Sequence, residues 1–122
     1  MELESLINEI ISFPVKFYSL GNISIYSFLS NVGYLEHYNQ VQDDSIATAL
    51  AQSPEYIDAW FDWSENKRVT SGWYIEKGEN AHYIVGFYPP SESHPPVYYA
   101  DITKACTVFI IKEIESVRTG IL

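Results

Sequence analysis

The period of the hydrophobic pattern changes once near residue 66 and again near residue 101, and this double switch limits the folds open to the chain. Up to Asn66 the apolar residues recur at helical spacing. The segments "TSGWYIEKG" and "AHYIVGFYP" are instead aromatic and β-branched, with Trp73 and Ile75 alternating with Tyr74 and Glu76. "KGEN" between them reads as a hairpin turn around Gly78 to Asn80. "PPSESHPP", residues 89–96, cannot continue a sheet and forms a surface loop. "VYYA" offers a third strand, and Asp101 caps a long helix over "ITKACTVFIIKEIESVR". Helices, a few adjacent strands and a last helix make an α+β fold: an antiparallel sheet of about three strands packed with N-terminal helices and one long C-terminal helix.

The helical part divides further. Leu3, Leu6, Ile7, Ile10 and Ile11 share one face of a first helix over 2–13, ended by Pro14. A turn at Gly21-Asn22 precedes a short helix over 24–30, with a break at Asn31 to Gly33. Asp43 or Asp44 serves as N-cap to a helix containing Ile46, Ala49 and Leu50. Ser53-Pro54-Glu55 starts another that reaches Asn66. At 122 residues the chain has room for one domain, 1–122, and it carries enough apolar residues to fill a core. Both faces of the hairpin are bulky, so helices cover one face and something else, such as a partner, meets the other.

Charge separates the chain more sharply than size does. Its net charge is −9, yet between Phe17 and Asn66 there is no Lys or Arg, while Glu36, Asp43, Asp44, Glu55, Asp58, Asp62 and Glu65 all fall there. The rest of the chain is nearly balanced. An acidic protein lacks the cations that displace counterions from nucleic acid or bind anionic lipid, so the partner it suits is cationic. The competing explanation is solubility alone. No apolar run is long enough for a bilayer span, residues 1–20 do not read as a secretory signal, and Cys106 is the single cysteine. A soluble cytoplasmic protein is the expectation.

Catalytic signatures are missing. There is no glycine-rich phosphate loop, no G-x-S-x-G, no H-E-x-x-H and no C-x-x-C, and His37, His82 and His94 have no metal-ligand spacing. The expectation is a protein that is not an enzyme and uses no metal or cofactor. Cys106 falls on the apolar face of the last helix, where a buried thiol is inert. Glu113 projects from the same face. A carboxylate there is paired, with a cation of "NKR" the first candidate, is capped by a Tyr or Trp donor, or sits at an opening. A lone catalytic carboxylate lacks the second acid or base it would need.

The stretch "YIDAWFDWSENKRV" holds two of the three tryptophans among acids. On a helical wheel Tyr56, Ile57, Trp60, Phe61 and Trp63 span one arc, and Glu55, Asp58, Asp62 and Glu65 stand on the other. Trp60 belongs to the core. Trp63 lies at the edge of the arc, where its indole N–H can reach solvent or a partner. The acid ridge is either a solvated face or a docking face for a basic partner.

The order "WSENKRVTSGWYIEKG", "YIVGFYPP" and "VYYADITKA", within residues 60–105, resembles a bacterial domain family that includes immunity proteins of contact-dependent growth inhibition and related polymorphic toxin systems. The resemblance implies a cytoplasmic inhibitor of one cognate toxin domain, often a basic nuclease, that blocks its active site or its nucleic-acid surface. Asp43, Asp44, Glu55, Asp58, Asp62 and Glu65 would then meet the toxin, with Trp63, Tyr74 and Tyr88 as aromatic anchors. The alternative is a small-ligand or other non-catalytic interaction domain, with a Tyr- and Trp-lined pocket floored by Glu113.

Overall fold

The computed structural model describes residues 3–17, 23–66, 72–90 and 92–120. Within them the chain is α+β. Helices α1 (Leu3–Ile11), α2 (Phe13–Phe17), α3 (Ile25–Val32), α4 (Tyr34–His37), α5 (Asp43–Gln52) and α6 (Glu55–Asn66) precede strands β1 (Gly72–Lys77), β2 (Tyr83–Tyr88) and β3 (Val97–Tyr99). Helix α7 (Ile102–Thr119) closes the order. A single 3-10 turn, Tyr38–Gln40, follows α4.

Most element boundaries have local causes. Ser24 caps α3 by accepting from the Ser27 N–H, and Gly33 ends it at φ 93°, a left-handed conformation that costs glycine little. Asp101 caps α7 by accepting from the Thr103 and Lys104 amides. Pro14 does not close the helical run: it is the second residue of α2, where its missing N–H is not needed. The residue preceding α5 is Gln42, and Asp43 and Asp44 fall in the first turn, where their charge favours the helix dipole. The Gly21-Asn22 turn lies outside the described residues.

The sheet is antiparallel in the order β1-β2-β3. Trp73 pairs with Phe87 and Ile75 with Val85, which puts these four side chains on one face, and α7 packs across that face against all three strands. Tyr74, Glu76, Ile84, Tyr88 and Tyr98 share the other. There Tyr88 and Tyr98 are 46% and 62% exposed. Gly86 is required on this outer face because the Tyr74 ring lies over it: a Cβ would sit 2.5 Å from the Tyr74 hydroxyl. The hairpin closes through the Gly78 N–H to the His82 carbonyl at 2.8 Å, with Asn80 and Ala81 both at positive φ.

One core cluster joins the helices to the sheet. Trp60, 0% exposed, is its largest member, packed with Phe13 and Phe109. Its indole N–H donates to the Ile11 carbonyl at 2.9 Å, so this side chain fills the core and satisfies an orphan acceptor at the end of α1. Burying such a ring contributes on the order of 2 to 3 kcal/mol.

Candidate functional site

Helix α6 separates its two arcs as the wheel predicts. Ile57, Trp60 and Ser64 are buried, while Glu55, Asp58, Asp62 and Glu65 are exposed. Among the described residues none of these four carboxylates takes part in an ion pair or a hydrogen bond. They follow one another at spacings of three, four and three, close enough to repel. Helix α6 contains no Lys or Arg to relieve them.

The ridge is one wall of a groove of about 500 Å³ between α6 and β1. Asp58, Asp62 and Glu65 line its helix side, Glu76 and Lys77 its strand side, with Phe61 and Ile75 between them. Among the described residues its lining holds four carboxylates and one ammonium, an acidic balance. Glu76 also shares the outer sheet face with Tyr74. Glu76, Lys77 and Phe61 are absent from the residues chosen by sequence. Their signal was topological: the connection from α6 to β1 is residues 67–71, too short to carry β1 far from the ridge.

The other expected contact residues are dispersed. Asp43 and Asp44 begin α5, and Asp44 lines a separate hollow of about 440 Å³ between α1 and α5, with Glu4 and Asn8. Tyr74 is half-buried over Gly86, and Tyr88 is exposed at the end of β2. Trp63 turns inward. Its ring packs on Phe13 and Phe17, with centroids 5.0 and 5.1 Å away, and its indole N–H donates to Glu113 Oε2 at 3.0 Å. The N–H that sequence leaves for solvent or a partner is therefore engaged within the molecule.

Glu113 is 5% exposed and is held by a Trp donor, one of the three arrangements open to it. An ion pair with Lys67 or Arg68 lies outside the described residues. The Cys106 thiol is fully buried, and burial, followed by the charge of Asp58, pushes its pKa up, so it stays protonated and unreactive.

A second polar cluster ties α4 to α7. Tyr34 donates to Glu115 Oε2 at 2.5 Å, and Arg118 contacts both Glu115 oxygens at 2.6 and 2.9 Å. Arg118 also stacks over the Tyr38 ring at 3.7 Å. The Arg118 hydrogen bonds hold the Glu115 carboxyl below its ordinary range, while burial and then the bond to Glu115 raise the Tyr34 phenol. No arrangement of this cluster resembles an acid and a base facing a substrate.

Among the described residues no three His, Cys, Asp or Glu side chains gather to hold a metal ion, and no helix is long and apolar enough to cross a membrane. The chain matches no protein-family model, no curated protein and no solved structure. What stands out among the described residues is an acid-lined groove beside a packed aromatic core.

Proposed function

We propose that this chain is an immunity protein: a cytoplasmic inhibitor that docks one basic toxin domain, an RNase or tRNase, through the groove between α6 and β1. The observation that carries the reading is the row of exposed carboxylates Asp58, Asp62 and Glu65, with the half-buried Glu76 beside them, around a partly apolar floor. Such a surface is complementary to the Lys- and Arg-rich cleft by which a nuclease holds phosphates. Glu55 extends the ridge. Asp43 and Asp44 lie apart from the groove and act on the partner through long-range attraction rather than contact.

Rigidity supports the same reading. Trp60, Ser64 and Ile57 anchor α6 in the core, so its acids project from a helix that is already ordered before binding. Tyr74 and Tyr88 add aromatic area on the outer sheet face, apart from the groove's own lining.

The test begins with the reading frame encoded immediately upstream. If it ends in a variable toxin domain, that domain should co-purify with this chain, and Asp58→Lys with Asp62→Lys should weaken binding at least a hundredfold while leaving the fold intact. Association should slow steeply with added salt. A neighbour that is an ordinary metabolic gene, or an affinity untouched by the double reversal, would overturn the proposal.

A further inference from the structure

On the α7 side of the sheet lie two hollows of about 330 and 200 Å³ that share Trp73, His94 and Lys112. Their chemistry is the reverse of the acidic groove. Lys112 Nζ stands 5.1 Å from the centre of the Trp73 ring, and among the described residues no carboxylate pairs with it. His94 packs on Trp73 and Phe87, with ring centroids 5.0 and 4.8 Å away, and no hydrogen bond within the described residues engages its ring nitrogens. Glu115, the carboxylate that lines the larger hollow, is held by Arg118 on both oxygens and by Tyr34 on one. Its charge is answered locally.

The smaller hollow adds an apolar lining to this cationic rim. Val85, Val97 and Val108 line it, Tyr99 adds an aromatic ring, and Pro95 stands beside His94 in the loop that follows β2. Its 200 Å³ equals about seven water molecules at roughly 30 Å³ each, the bulk of a single-ring organic acid. An indole, an ammonium held over it and an imidazole at its edge are the groups that orient a carboxylate carried on a flat apolar body.

We propose that this cleft is a binding site for a small aromatic carboxylate, its ring between Trp73 and the valines and its anionic group at Lys112 Nζ, with His94 as second donor. The site is independent of the acidic groove and of any toxin. It would make the protein a carrier or sensor of a small acid in addition to a docking protein.

The probe is benzoate, titrated into the isotope-labelled full chain and followed by the Trp73 indole N–H and the amides around the cleft. Saturable shifts confined to Trp73, His94, Val97, Val108 and Lys112 are expected, with a dissociation constant of about 1 mM for so small a ligand. Lys112→Met should weaken benzoate at least tenfold and Lys112→Arg should restore part of it, both variants retaining the native spectrum. Benzamide, the neutral isostere, should bind at least tenfold more weakly, as should inorganic phosphate, which lacks the ring. Absence of saturation by about 20 mM, or binding of benzamide or phosphate equal to that of benzoate, would overturn the proposal.

Discussion

The Ser64 hydroxyl accepts the Ile75 N–H at 2.8 Å and donates to the Ile75 carbonyl at 3.0 Å, so one side chain of α6 occupies both backbone groups at the centre of β1's outer edge. Strand β1 borders the sheet, and an open edge is a template for pairing with other chains. The pair covers the middle of that edge and fixes the acid ridge relative to Glu76.

Ser64→Ala should therefore cost more than an ordinary surface change. Both Ile75 groups would lose their partner in a buried setting, a loss of about 2 to 3 kcal/mol. Urea denaturation measures it, and light scattering should report more association through the uncovered edge. A loss below about 0.5 kcal/mol would mean that water replaces the hydroxyl.

Trp63 and Glu113 form the second long-range pair. Removing the indole N–H by Trp63→Phe leaves a buried carboxylate short of a charge-assisted donor, while Glu113→Gln weakens the acceptor. The single variants should each lose about 1 to 3 kcal/mol. In a double-mutant cycle the coupling should be about 1 kcal/mol or more. Additive losses in urea unfolding would show that the contact carries no energy.

Stability should depend on pH through Glu115. Its folded pKa lies below the ordinary value of about 4.3, with the Arg118 hydrogen bonds the first cause. The unfolded state then binds the proton first as pH falls, so the contribution is complete above the unfolded pKa and disappears as pH falls through the folded one. Glu115→Gln should be less stable than the parent at pH 7, and the two should converge in acid. Unfolding curves between pH 7 and pH 3 check this. A gap that stays constant into acid would exclude Glu115 as its source.

These two hydrogen-bonded contacts also show where the sequence stops being informative. The split of α6 into aromatic and acidic arcs, the hairpin, and the Asp101 cap depend on residues within a few positions of one another, and each was legible. Ser64 lies eleven residues from Ile75 and Trp63 fifty from Glu113, and no local spacing announces such partners. Trp63 shows the consequence: a wheel places it at the edge of the apolar arc, but only Phe13, Phe17 and Glu113, brought from other elements, decide that it faces inward. The same holds for Glu76, which alternation assigns to a sheet face and only the packing of β1 beside α6 adds to the groove.

The acid ridge should be a cost to the isolated protein. Asp62 lies four residues after Asp58, and Glu65 sits in the last turn of α6, where a negative charge opposes the helix dipole and the turn itself holds no basic residue. Asp62→Asn with Glu65→Gln should raise stability by about 0.5 kcal/mol at low ionic strength. Salt screens the repulsion, so the gain should shrink toward zero near about 1 M salt, where the Debye length falls to about 3 Å. The same double variant should bind a basic toxin domain more weakly. Gain of stability with loss of affinity would identify the ridge as a binding surface kept at the expense of the fold. A variant that is destabilised and insensitive to salt would show instead that these carboxylates are already compensated within the chain.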